Sequence, residues 1–448
     1  MPSPSTRRHC VVLCGFVLVA VALAISAIRQ TPARAADAAH ADQGRAGELI
    51  KLGQKFSGAQ SCAGSGCHNQ SPQKDGFLMS ELTTWTEQDG HTKAMGVLEK
   101  VPKSLAKKHP ELTKIGETLK IADVQTSARC LSCHALNAPA ALQGDKFDLS
   151  EGVTCASCHG PSAKWLADHK NKGWTDKQRE TRAATAGAEE WKGQAAHAKL
   201  LGDMGLYDTK PLIARAQICV SCHLSIDPDL VEAGHPQPYF ELNYFQETEP
   251  KHWRELPRDK DLGHVRIWTI GQIVCFRDAL NQVAARAADP KTKPETLKES
   301  LAQALAHGQM VQQAIKAKAI GAPDTLLADL SKLKDALDGK TVDVAATAKA
   351  LASHYKELTD PALAAQPTKE MALALAKAIG GDAAIAKDLG RVGAQQQALA
   401  VWSLVTATGA PESDELKALA EFKSPYRSDK DKFDAEAYSA ALKAALPK

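Results

Sequence analysis

The sequence predicts a mostly α-helical protein in two unlike parts, and three observations carry that expectation. Between Cys62 and His223 a paired-cysteine unit closed by histidine occurs four times, in sequence rich in Gly and Lys with few long apolar periods. From about Val265 onward Ala, Leu, Lys and Asp dominate at helical spacing. Aromatic residues make up only 5% of the 448 residues, so something other than side chains must supply bulky apolar material to part of the core. Few strands are expected.

The elements follow in order. Residues 1–35 read as an export leader: Arg7 and Arg8 start it, residues 11–28 are uncharged and mostly apolar, and Ala33-Arg34-Ala35 offers small residues to a signal peptidase. The apolar run is also just long enough to span a bilayer, so cleavage and retention as a membrane anchor both stay open. Either places the remainder outside the cytoplasm, in the periplasm or otherwise exported, with an anchored chain on the outer side of the inner membrane. Residues 36–57 read as a flexible linker. Residues 58–264 hold all four cysteine units on short helices, two of them expected over Ser80–Val97 and Val124–Leu136, with a Lys-rich surface excursion at Lys164–Lys199. Residues 265–448 read as an all-α domain. Its helices are expected at Val265–Ala287, Glu295–Ala317, Thr325–Leu337, Val342–Leu358, Lys369–Leu389, Ala394–Thr408 and Ala435–Leu446. Pro323-Asp324-Thr325, Asp360-Pro361, Gly380-Gly381 and Gly409-Ala410-Pro411 provide starts and stops.

Of 11 cysteines, two lie in the leader, Cys275 stands alone, and eight form the four units. These are Cys62-Ala-Gly-Ser-Gly-Cys67-His68, Cys130-Leu-Ser-Cys133-His134, Cys155-Ala-Ser-Cys158-His159 and Cys219-Val-Ser-Cys222-His223. Two thiols add to the two vinyl groups of haem, and the histidine that follows at once is placed to bind the iron. Chance at this composition predicts only about 0.01 C-x-x-C-H matches, and three occur. Zinc binding or disulfides would not place a histidine after every pair. The units therefore predict four covalently bound haem c groups, with iron on His68, His134, His159 and His223. Flat apolar haems would also serve as the core of residues 58–264, which accounts for the shortage of aromatics. Lys plus Arg number 55 and Asp plus Glu 52, a balance that argues against nucleic acid as a partner.

Each iron takes a second axial ligand or keeps an open site. Methionine is scarce, with 6 in the chain, so histidine is the better candidate. Trp85-Thr-Glu-Gln-Asp-Gly-His91-Thr-Lys-Ala-Met95, the stretch Val153 to Pro161 running on to Asp168-His169-Lys170, and the order of four motifs resemble the tetrahaem cytochrome c-554 family. The resemblance covers roughly Gln60 to His264, and the longer first motif departs from it. It implies cross-ligation between haems: His91 opposite His159, His169 opposite His68, and a later histidine opposite His223. For that last place His235 is chosen, with His252 in reserve. The family's second haem is five-coordinate, which implies an open site opposite His134; the alternative is that His252, His264 or His109 fills it. His40, His197, His307 and His354 are expected to face solvent.

The leading functional expectation is electron relay between a redox-protein donor and acceptor, through closely packed and mostly bis-histidine haems. The alternative is an enzyme acting on a nitrogen oxide or hydroxylamine at an open haem on His134. The helical half is expected to cap the haem domain or dock it to a larger complex.

Overall fold

The computed structural model describes residues 49–64, 67–71, 79–98, 110–170, 202–224, 226–251, 263–321, 324–410, 413–421 and 433–447. The leader and most of the 36–57 linker lie outside the described residues, as do His40, His109, His197, His252 and residues 171–199 of the Lys-rich span. Among the described residues there is no sheet, only an isolated bridge between Phe56 and Gln143.

The first part consists of short helices joined by irregular chain. They are α1 (Glu81–Gln88), α2 (Pro110–Thr118), α3 (Ala128–His134), α4 (Cys155–His159), α5 (Leu212–His223), α6 (Pro228–Glu232) and α7 (Leu242–Thr248). The helix expected over Ser80–Val97 is broken at Asp89, whose backbone is extended and whose side chain accepts from the His91 amide to start a 3-10 turn at Gly90–Lys93. Apolar side chains here form small separate clusters, such as Leu49, Phe56, Leu136, Ala138 and Ala156. No such cluster could stabilise a unit of this size alone.

The second part is a helical bundle: α8 (Gly263–Ala288), α9 (Pro294–Lys316), α10 (Asp324–Leu337), α11 (Val344–Ser353), α12 (Tyr355–Ala364), α13 (Lys369–Gly381), α14 (Ala383–Thr406), α15 (Asp414–Ala420) and α16 (Ala435–Ala444). α8 is buried on all sides from Val265 to Phe276, the polar Arg266, Thr269 and Gln272 included, and packs against α5, α7, α9, α11, α12 and α14. Side-chain caps at Asp343, Thr368, Asp382, Ser413 and Asp434 start α11, α13, α14, α15 and α16. The expected single helix over Val342–Leu358 is two helices hinged at His354. Asp360-Pro361 does not stop the second; Pro361 lies inside α12, which runs on to Ala364. The expected gap after Leu389 narrows to Gly390, whose φ of 60° interrupts α14 at one residue.

The bundle's core does not begin at residue 265. Leu212, Ala216, Val220 and Leu224 of the α5 region, with Phe240 and Leu242, belong to the same continuous apolar cluster as α8, α9 and α14. Glu241, fully buried, caps α7 by accepting from the Asn243 and Tyr244 amides and takes a further hydrogen bond from Ser403 of α14.

Candidate functional site

The motif residues lie where short helices end. His134, His159 and His223 are the last residues of α3, α4 and α5, so each ring leaves its helix beside the two cysteines one turn earlier. Cys62 ends a 3-10 turn at Ala59–Cys62, and the Cys67–His68 pair follows in a loop whose His68 carbonyl accepts from Leu82 at 2.8 Å. No disulfide links any of the nine described cysteines. Those of different motifs are neighbours: Cys62 hydrogen-bonds to Cys155, and Cys133 to Cys222. Cys158 lies within electrostatic range of Cys219 and Cys222. Burial pushes the Cys158 thiol up to about 11 and the Cys219 thiol up to about 12.

Three pairs of histidine rings face each other. His68 and His169 have centroids 6.2 Å apart and planes within 12° of parallel. His91 and His223 are 6.0 Å apart at 87°, and His134 and His235 are 6.4 Å apart at 73°. A parallel pair in direct contact would sit much closer than 6.2 Å. Two imidazoles on opposite sides of one metal, each nitrogen ~2.1 Å from it with the ring centre ~1.1 Å further back, give ~6.4 Å. All three pairs match that spacing, and the fit holds for a group that each pair would sandwich.

In five of these rings the Nδ1–H is already used. His68 donates to Glu81 Oε2 at 2.8 Å, His91 to Asp89 Oδ1 at 2.8 Å, His134 to the Ala94 carbonyl at 3.0 Å, His169 to the Leu166 carbonyl at 2.7 Å, and His235 to the Pro236 carbonyl at 2.8 Å. Carboxylates and carbonyls only accept, so Nδ1 carries the proton and Nε2 is the nitrogen left for a metal; ligating histidines are usually held this way. The carboxylates raise the His68 and His91 rings above the ordinary imidazole value. Burial lowers His134 and takes His223, packed against Phe240 and Phe245, down to about 4.

Backbone contacts bring these rings together from distant sequence. The His91 carbonyl accepts from Val153 at 3.1 Å, and the Gly152 carbonyl accepts from Leu136 at 3.1 Å. Gly152 has φ of 73°, and a Cβ there would stand 2.7 Å from the His91 carbonyl oxygen, so only glycine fits. Trp85 Nε1 donates to the Val153 carbonyl at 3.1 Å. At the other end the buried Arg129 guanidinium of α3 binds Asp227, the cap of α6, and so holds the loop carrying His235 against the second motif.

The pairing differs from expectation at three points. His91 stands against His223 rather than His159, because the Asp89 break turns it toward α5. His235 stands against His134 rather than His223, because the Arg129–Asp227 contact brings α6 to α3. The place opposite His134, expected open or filled by His252, His264 or His109, is therefore occupied by the His235 ring. His169 stands opposite His68. His264 is held by Asn243 Oδ1 at 2.9 Å. His307, expected at the surface, is 1% exposed inside the bundle, donating to Gln272 Oε1 at 2.9 Å, and burial lowers it to about 3. His354 is half-buried and binds Glu357. Glu81, Asp89 and Arg129 were not singled out by sequence. Only the Asp89-Gly90-His91 spacing, an acceptor two residues before a turn, carried a signal.

Residues 61–160, less than a quarter of the chain, match the family model described as cytochrome c554 and c-prime. The matched segment spans the first three motifs and agrees with the resemblance drawn from Trp85 to Met95 and from Val153 to Pro161. It is a c-type cytochrome segment, and covalently bound haem c comes with that assignment. No curated protein and no solved structure matches the chain. Among the described residues no helix is long and apolar enough to cross a membrane.

Proposed function

We propose that this c-type cytochrome binds four haem c groups and relays electrons between redox proteins outside the cytoplasm. The observation that carries the reading is the set of three histidine pairs, each at the spacing of two ligands on one metal, with the remote nitrogen of five rings fixed by an acceptor. Cys62 with Cys67, Cys130 with Cys133, Cys155 with Cys158, and Cys219 with Cys222 would attach the four groups. His68 with His169, His223 with His91, and His134 with His235 would bind three of the irons, and His159 would bind the fourth. Each bound haem supplies a one-electron iron couple.

The chain's own part is to order the motifs. Cys62 meets Cys155, Cys158 faces Cys219 and Cys222, and Cys222 meets Cys133. The third motif is thus a neighbour of the first and of the fourth, and the fourth a neighbour of the second. Phe240, Phe245 and the bundle core exclude water from the His223 end. A small-molecule reaction at the His134 haem would need an open place there, and the His235 ring 6.4 Å away favours relay at that haem. The leader, residues 1–35, supports export, since haem is attached to proteins of this kind after translocation.

The test is a pyridine haemochrome assay against protein concentration, with low-temperature paramagnetic resonance of the oxidised protein. Four haems per chain, with at least three low-spin, is the expected result. A ratio of two or fewer, or three high-spin haems, refutes the reading.

A further inference from the structure

The three histidine pairs are not electrostatically alike. The His68–His169 pair has one carboxylate on a remote nitrogen, Glu81 at 2.8 Å, and one backbone carbonyl, Leu166 at 2.7 Å. The His91–His223 pair has Asp89 at 2.8 Å, while its other ring lies among Phe240 and Phe245. The His134–His235 pair has two neutral carbonyls, Ala94 at 3.0 Å and Pro236 at 2.8 Å, and no carboxylate among the described residues holds either remote nitrogen. The nearby Arg129 charge is met by Asp227, with Asp229 of the same segment 3.4 Å from the guanidinium.

We propose that Glu81 and Asp89 set potentials, holding the couples at the His68 and His91 pairs below the couple at the His134 pair, so that electrons collect at the second motif. The proposal rests on the three pairs being haem ligands. A carboxylate on the remote N–H draws that proton toward itself and puts negative charge on the ligating nitrogen, which strengthens it as a donor. The more charged iron state gains more, and the couple becomes harder to reduce; hydrogen bonding beyond the ligands is one of the protein's levers on haem potential. Asp89 is the stronger case. Its side chain is 2% exposed against 21% for Glu81, so solvent screens it less. Asp89 also accepts from the His91 amide at 2.8 Å, which fixes its carboxylate on the ring.

The experiment is spectroelectrochemical titration of the full-length haem-loaded protein, with haem content and spin state recorded for every variant. Asp89→Asn keeps an acceptor for the His91 amide and removes the charge; Glu81→Gln does the same for His68. In each variant one component should move to higher potential while haem count and low-spin signals stay unchanged. A tenfold rise in its reduced-to-oxidised ratio at fixed potential corresponds to about 59 mV for a one-electron couple. Asp89→Asn should move further than Glu81→Gln, and Glu81→Asp should restore part of the shift. Intact haem and spin with unmoved potentials would overturn the proposal. Missing haem in the wild type would instead remove the ligand reading beneath it. A further variant decides the case if a charge-removed protein fails to mature: the component that His235→Ala turns high-spin must be the highest of the three in the wild type. If it is the lowest or the middle one, the assignment is wrong.

Discussion

Glu241 offers a sharp stability prediction. It is fully buried, caps α7 through the Asn243 and Tyr244 amides, and meets Ser403 across the core. Among the described residues the buried Cys275 thiol is the titratable group that faces it from α8, and no cation neutralises it. Burial pushes its carboxyl from the ordinary 4.5 up to about 7, against the pull of Ser403 and the two amides. The folded protein therefore holds this proton to higher pH than the unfolded chain does. Below pH 4.5 both states are protonated and the stabilising difference is complete; between pH 4.5 and about 7 the unfolded chain ionises first, and stability falls; above pH 7 the loss is constant. A gap of this size corresponds to about 3 kcal/mol at 1.36 kcal/mol per pH unit. Glu241→Gln mimics the protonated carboxyl and still offers an oxygen to the α7 amides. The assay is urea unfolding followed by circular dichroism at 222 nm, for both proteins at pH 4.5, 6 and 8. The stability of Glu241→Gln relative to the parent should rise by about 3 kcal/mol from pH 4.5 to pH 8. A pH-independent difference between the two proteins refutes the argument.

Two more outcomes follow from contacts at the site. Arg129→Ala leaves the buried Asp227 carboxylate without its cation, a loss on the order of 3 kcal/mol, and frees the loop of His235. One low-spin haem should become high-spin in its resonance spectrum, as it should in His235→Ala, without loss of covalent haem. In a chain made without haem and then oxidised, the thiols already in contact should cross-link, Cys62 to Cys155 and Cys133 to Cys222. Peptide mapping that finds only bridges within motifs would contradict that geometry.

What could be read from the sequence follows the range of the interactions. The four proposed attachment motifs stand out in the sequence because their chemistry is local: two thiols and a histidine within one or two turns would meet one group. The long bundle helices were legible too, since α8 and α9 carry their periods within themselves. The ligand partners were not. His91 meets His223 across 132 positions and His134 meets His235 across 101, the first turned by the local Asp89 break and the second held by the remote Arg129–Asp227 contact. His307 looked like a surface residue among Ala, Gln and Lys. The Gln272 side chain that receives it lies on another helix, 35 residues away. The boundary at residue 265 marks a change in composition, whereas the core it separates is continuous, because Leu212, Phe240 and Leu242 look ordinary until the bundle closes around them.

That continuity gives α5 two duties. One face of the helix ends in Cys219, Cys222 and His223; the other, through Leu212, Ala216 and Val220, is a wall of the bundle. The bundle is thus a mounting for the fourth motif rather than a tethered passenger. The bearing of His223 is therefore set by core packing. Swapping the bundle between related chains would re-aim that motif, so the two parts must change together.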